Sequence, residues 1–346
     1  MFTLFRCALT IFSISVLLFT SCVSYAATYH LTDIGTLAGN TKAYAINDSG
    51  QVVGESFVNG ASHAFLYSNG SMQNLGTLGG ISSIARGINN AGVVVGSAPL
   101  ASGIENAFSY NGGPLQSLGS PGIPSAAYDV NSSGQIVGTS NSNAVLFANG
   151  SATRVSGGSL LAINDSGAVV GVDNGTGYVV SGTTLTFLPT FCGGGCANFP
   201  QDINNSGVIV GSAETPSARH AFSFANGSLS DLGTLGGRFS SAFALNELGQ
   251  IVGTADSASG VHAFLYSGGT MQDLNSLTDV PTNTAAGWIL VEARGINESG
   301  QIVGWGIHNN QISSFLLTPV PVPAAIWFLG SGLVGLVGFA RKRNTV

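Results

Sequence analysis

Ile46-Asn-Asp-Ser-Gly-Gln-Val-Val-Gly54 joins a four-residue turn signal to a short β-branched run, and the chain repeats it. As apolar-Asn-x-x-Gly-x-(Val/Ile)-Val-Gly the motif occurs seven times, with its Asn at Asn47, Asn89, Asn131, Asn164, Asn204, Asn246 and Asn297. Successive Asn residues are 42, 42, 33, 40, 42 and 51 positions apart. A period near 40 residues accommodates four short strands and their turns, the unit of a β-propeller blade.

Working outward, the first unit reads as four strands: Ala43–Asn47 (a), Gln51–Ser56 (b), His63–Tyr67 (c) and Met72–Thr77 (d). Asn47-Asp-Ser-Gly50 suits a type I turn followed by a left-handed Gly, and Asn69-Gly70 is a two-residue hairpin signal that returns at Asn149-Gly150 and Asn226-Gly227. Strand a alternates small and large residues, as in Ala43/Ala45 around Tyr44 and Ala85/Gly87 around Arg86. Crowding at a propeller axis favours the small ones there. The seventh repeat ends at Ser314–Thr318 without a strand d, whereas Tyr29-His-Leu-Thr-Asp-Ile-Gly-Thr-Leu37 is a strand d with nothing before it. The two complete one blade, so the expected fold is an all-β, seven-bladed propeller of four-stranded blades closed by its N-terminal strand. Closure removes exposed strand edges. A linear β-solenoid fits the period but has no use for this complementarity.

Both ends differ from the middle. Residues 1–26 carry one cation, Arg6, then an apolar run and small residues at Ser24 and Ala26, the pattern of a signal peptide handled by the Sec export machinery and signal peptidase. A lipoprotein signal with Cys22 as acceptor is the rival reading of this stretch. Residues 27–318 hold the repeats. Residues 319–346 begin with a Pro-rich stalk and continue through 19 apolar residues, Val322 to Ala340, to Arg341, Lys342 and Arg343. A helix of that length spans roughly 28 Å, about one bilayer core, with the basic cluster on the cytoplasmic side. Apart from Arg6 and the three tail cations, six basic residues face 16 acidic ones, a net charge of −10. Such a domain lacks the basic footprint that nucleic acid requires.

The triplets His63-Ala-Phe65, His220-Ala-Phe222 and His262-Ala-Phe264, with Leu75-Gly-Thr-Leu-Gly-Gly80 and Leu232-Gly-Thr-Leu-Gly-Gly237, resemble the HAF family of extracellular repeat proteins across residues 29 to 318. Asn106-Ala-Phe108, Asn143-Ala-Val145 and Gly177-Tyr-Val179 depart from the triplet. The resemblance implies export and repeat architecture and supplies no activity. Val320-Pro-Val-Pro-Ala324 (Val320, Pro321, Val322, Pro323, Ala324), the Gly-rich apolar segment and Arg341-Lys-Arg343 resemble a PEP-CTERM sorting signal of the Val-Pro-Leu-Pro-Ala variety. That implies a Gram-negative bacterium, transient anchoring in the inner membrane, and release to the surface or matrix by an exosortase-like protease.

Candidate chemistry is sparse. The HAF histidines fall in different blades, so local hydrogen bonding is expected of them rather than metal ligation. Asp48, Asp165, Glu247 and Glu298 occupy equivalent a–b turns, where symmetry is expected to hold them too far apart for a glycosidase carboxylate pair. Cys192-Gly-Gly-Gly-Cys196 suits a disulfide in an oxidising compartment; a weak zinc site or a redox pair are the alternatives. No phosphate loop or nucleophile elbow is present, and no cofactor is implied. The d–a and b–c connections vary most, and the longest, Thr278 to Glu292, contains Trp288. Trp288 with Arg86 and Arg294 is the candidate binding set for a glycan or protein ligand. The expected role is non-enzymatic, in binding, adhesion or scaffolding; the alternative is a propeller hydrolase or lyase of extracellular polysaccharide, which acidic groups clustered on the axis would favour.

Overall fold

The structure, a computed structural model, describes residues 28–119, 123–148, 151–193, 195–278 and 287–320. The predicted signal segment and all of the tail beyond Val320 lie outside the described residues. Among the described residues no helix is long and apolar enough to cross a membrane.

Seven separate four-stranded antiparallel sheets carry the repeats, each in the order a-b-c-d. The inner strands a are Thr41–Ile46, Ile84–Ile88, Ser125–Val130, Ser159–Ile163, Asn198–Ile203, Gly236–Leu245 and Trp288–Ile296, one per blade from blade 1 to blade 7. Blade 1 continues through Val52–Val58, Ala61–Ser68 and Ser71–Asn74. Blade 7 consists of Trp288–Ile296, Ile302–His308 and Gln311–Pro319, and its strand d is Tyr29–Asp33 from the other end of the chain. The registers Tyr29↔Pro319, Leu31↔Leu317 and Asp33↔Phe315 fix the closure. The predicted fold is therefore the observed one, a closed propeller rather than a solenoid.

The turns behave as their chemistry requires. Gly50 sits at φ +74°, and the Asn47 side-chain oxygen accepts from the amides of Ser49 and Gln51. Asn69 and Gly70 have φ of 51° and 79°, the pair of positive values that a type I′ hairpin needs. Blades pack through their faces. Val53, Ala64 and Leu75 of blade 1 meet Ala85, Val94 and Phe108 of blade 2 in one cluster. Phe65, Phe108, Phe222, Phe264 and Phe315 are each fully buried, and each such ring stabilises the fold by roughly 1.5–3 kcal/mol.

Strand a departs from simple alternation in every blade. Its pairing with strand b slips by one residue between Ala43/Ala45, Ala85/Gly87, Ala127/Asp129, Leu160/Ala162, Pro200/Asp202, Ala242/Ala244 and Ala293/Gly295. Each slip is a β-bulge that leaves one residue unpaired and re-aims its side chain. The large residues between the small ones of strand a are these bulged residues, and they point into the axial channel. The same bulges explain the Gly that ends each motif. A Cβ at Gly54 would lie 2.0 Å from the Lys42 carbonyl, and one at Gly304 would lie 2.0 Å from that of Glu292.

The motif Asn binds the blades to one another. Asn47 Nδ2 donates to the Asn89 carbonyl at 3.1 Å, Asn89 to Asn131 at 2.9 Å, Asn131 to Asn164 at 3.1 Å and Asn164 to Asn204 at 3.0 Å. Asn204 donates to Asn246 at 3.3 Å, Asn246 to Asn297 at 3.2 Å, and Asn297 returns to Asn47 at 3.0 Å. The ring of seven bonds is complete.

Two outcomes follow. Gly54→Ala should lower unfolding stability by about 1–3 kcal/mol through overpacking, measured as a denaturant midpoint, whereas Gly113→Ala, where a Cβ meets nothing within 4 Å, should leave it unchanged. Removing Thr28–Leu37 should lower the melting temperature and drive self-association through the bared edge of Gln311–Pro319; a monomeric deletion variant that melts normally contradicts the closure.

Candidate functional site

Because every strand a bulges at the same place, seven side chains meet on the axis in register. From the side of the d–a loops, the first tier is Tyr44, Arg86, Tyr128, Leu161, Gln201, Phe243 and Arg294. With the residues just below, it lines a cavity of 370 Å³. Below lies an apolar girdle of Ile46, Ile88, Val130, Ile163, Ile203, Leu245 and Ile296, then the Asn ring, then a polar rim. A second cavity, of 200 Å³, opens at that rim.

The first tier is not uniform. Around the axis, blades 6, 7, 1, 2 and 3 contribute Phe243, Arg294, Tyr44, Arg86 and Tyr128, so aromatic and cationic groups alternate. The Arg294 guanidinium lies 4.0 Å from the Phe243 ring centroid and 5.9 Å from that of Tyr44; Arg86 lies 5.4 Å from Tyr128. Arg294 is also paired with Glu292, which accepts from Trp305 Nε1 at 3.1 Å, and Lys42 Nζ sits 4.8 Å over the Trp305 ring. Arg86 differs: its Nε is buried without a hydrogen-bond partner, and among the described residues the side chain makes no ion pair. Tyr44 donates to Glu55 at 2.6 Å, and burial with this bond pushes its pKa well above the usual tyrosine value.

Asp129 of blade 3, next to the Arg86 blade, and Asp202 of blade 5 also line the channel, at a position that is Ala or Gly in the other blades. Each accepts two backbone amides and so ties its blade to the next. Asp129 takes Val130 at 2.8 Å and Ile163 at 2.9 Å; Asp202 takes Ile203 at 2.8 Å and Leu245 at 3.0 Å. Withdrawal from solvent raises both carboxyl pKa values, and Asp202, facing the Asp129 charge as well, is pushed up to about 7. The sequence reading missed both. Their one sequence signal is an acid where the aligned repeats have a small residue.

Of the predicted binding set, the structure brings Arg86 and Arg294 together at the channel and leaves Trp288 out. Trp288 lies in strand a of blade 7 rather than in a loop, 3% exposed, stacked on His308 at 4.4 Å and edge-on to Phe315 at 6.5 Å. It is a core residue because this strand a, at nine residues, begins early enough to pair Trp288 with His308 of strand b. Cys192 and Cys196 are joined by a disulfide in the connection between blades 4 and 5. The HAF histidines serve their own blades: His220 pairs with Asp231 at 2.8 Å, His262 with Asp273 at 2.6 Å, and His63 faces Asn74. His308 does the same with Asp33 at 3.1 Å, across the closure.

The turn acids occupy equivalent a–b turns, as the repeats require. All four are on the lower rim, and Glu247, Glu298 and Asp48 are neighbours there. The Glu247 amide donates to Glu298 at 3.0 Å and the Glu298 amide to Asp48 at 2.9 Å, because each turn reaches across to the next blade.

The pKa directions give a pH signature. An unfolded Asp titrates near 3.9, so between about pH 4 and 7 the native state holds a proton at Asp202 that the unfolded chain has lost. Stability therefore rises as pH falls through that window. The Ser132 amide holds Asp165 below the usual carboxylate range, an effect of opposite sign confined to lower pH. The melting temperature should increase from pH 8 to 5, and Asp202→Asn should flatten the profile; equal slopes in the two proteins would refute the assignment.

No family model and no curated protein matches the chain. Solved structures do. One described as "YCF48 bound to D1 peptide" is 12% identical with a TM-score of 0.55, covering 87% of this chain and 98% of that one. A Mycobacterium tuberculosis puromycin-hydrolyzing peptidase is also 12% identical with a TM-score of 0.55, over 85% of this chain; the chain spans 55% of the length of that enzyme. At these identities the likeness establishes the propeller fold and nothing about activity.

Proposed function

We propose that the chain is an exported, non-enzymatic binding propeller that takes its ligand at the upper mouth of the axial channel. One observation carries this reading: seven bulges deliver seven side chains to a single cavity, five of them alternately aromatic and cationic, with one guanidinium left without a hydrogen-bond or ion-pair partner among the described residues. Small-ligand sites are concave, of about 300–1,000 Å³, and combine apolar walls with a few aimed polar groups. Export and display are supported by the signal-like residues 1–26, by the HAF-like repeats and by the tail resembling a PEP-CTERM signal. On this reading the tail anchors the protein in the inner membrane until an exosortase-like protease releases it to the cell surface or matrix.

A second reading, a hydrolase or lyase of extracellular polysaccharide, is favoured by one feature. Asp129 and Asp202 are two acids on the axis, and a pKa of about 7 suits a general acid. Against it, every oxygen of the pair already accepts a backbone amide, so their structural role is accounted for.

A glycan and peptide array probed with the purified protein and with Arg86→Gln/Arg294→Gln distinguishes the two. Binding should weaken about tenfold or more in the double variant, without ligand turnover. Unchanged binding removes the channel as the site, and ligand cleavage that Asp202→Asn abolishes establishes the enzyme.

A further inference from the structure

The charges at the upper mouth are segregated. Three of the six cations of the repeat domain, Lys42, Arg86 and Arg294, lie on the adjoining blades 7, 1 and 2. The two axial acids, Asp129 and Asp202, lie on blades 3 and 5. A ligand filling the cavity meets the guanidinium groups of Arg86 and Arg294, the rings of Tyr44, Tyr128 and Phe243, and hydrogen-bond acceptors at Asp129 and Asp202.

We infer that this site binds a hexuronate, a sugar ring bearing a carboxylate, presented as the terminal residue of a short glycan; the inference rests on the channel being the binding site. Arg86 carries a planar fork of donors with no hydrogen-bond or ion-pair partner among the described residues, and its Nε is already desolvated, so the site holds a cationic group whose missing counter-charge matches a carboxylate in shape and sign. Arg294 and Lys42 do not compete for that role, since Arg294 is neutralised by Glu292 and Lys42 is held over Trp305. The two acids suit hydroxyls: each Asp129 and Asp202 oxygen accepts one amide and keeps a lone pair, and Asp202, protonated at mildly acidic pH, is poorly prepared for an ammonium group. Tyrosine and phenylalanine faces suit the C–H surface of a sugar ring.

The rest of the domain restricts the ligand to an end. The net charge of −10 makes the domain as a whole repel a long polyanion, and below the cavity the apolar girdle offers no partner for a charged ring.

Titration calorimetry of the purified protein with glucuronate and galacturonate mono- to trisaccharides tests this, using the matching neutral oligosaccharides and acetylated or free dipeptides as comparison ligands. Saturable uronate binding is expected, weakened about ten- to a hundredfold in Arg86→Gln, less so in Arg86→Lys, and decreasing with added salt. Arg86→Gln should keep a melting temperature close to wild type, since Arg86 makes no hydrogen bond to lose and gives up only its contact with the Tyr128 ring. Neutral glycans binding as well as uronates, with the same dependence on Arg86, would overturn the inference and leave the channel as the site. Preferential binding of free dipeptides would overturn it in favour of a zwitterion. Uronate binding that ignores Arg86, or no binding by any of these probes, defeats it outright; in the first case a ligand site elsewhere defeats the channel as well.

Discussion

Each repeat Asn is buried, between 2% and 7% exposed, and uses both ends of its amide. Its oxygen folds its own a–b turn, and its nitrogen reaches the carbonyl of the next repeat Asn. Asp in its place can accept but not donate, and Gln places the amide one methylene too far out. Local turn formation and blade-to-blade spacing are thereby bound to one side chain. A net contribution of about 1 kcal/mol per bond is modest, but leaving such a buried group unpaired costs up to about 3 kcal/mol, so the penalty for a wrong angle between blades is felt at every joint. The last bond, from Asn297 back to Asn47, spans 250 positions of sequence and forms only when all the blades sit at compatible angles.

The bulge turns this scaffold into a site. By slipping the a–b register once per blade, it places a carbonyl against strand b, which forces Gly there, and swings one large side chain onto the axis. Structural uniformity and chemical variety thus occupy neighbouring positions: the Gly and Asn hardly vary, while the bulged residue ranges from Leu161 to Arg86. Rigid elements carrying variable side chains are well suited to holding a ligand in a fixed pose.

How much of this was legible in the sequence depends on range. Turn chemistry is local, so Asn47–Gly50 and Asn69–Gly70 could be read directly, and the unpaired strand at Tyr29–Leu37 announced the closure by resembling the other strands d. A bulge is a relation between two strands, and the alternation around Tyr44 looks the same with or without it, so the sequence put only the small residues at the axis, although it did bring Arg86 and Arg294 to the mouth. Asp129 and Asp202 were overlooked because acids in strands look like surface residues until the bulge places them on the axis. Trp288 was read as a loop aromatic because nothing local reveals that this strand a begins so early. The predicted tail elements, outside the described residues, are untouched by the structure.

The Thr28 carbonyl accepts from the Val320 amide at 2.8 Å, so both ends of the repeat domain leave it at one spot on the outer margin of blade 7. Tension drawn through the segment after Val320 enters Gln311–Pro319, which is hydrogen-bonded on one side to Ile302–His308 and on the other to Tyr29–Asp33. A pull that would peel an outermost strand away bond by bond is shared here between two ladders. If the proposed tail anchors the chain, its load falls on the flank of blade 7, away from the axis and both openings.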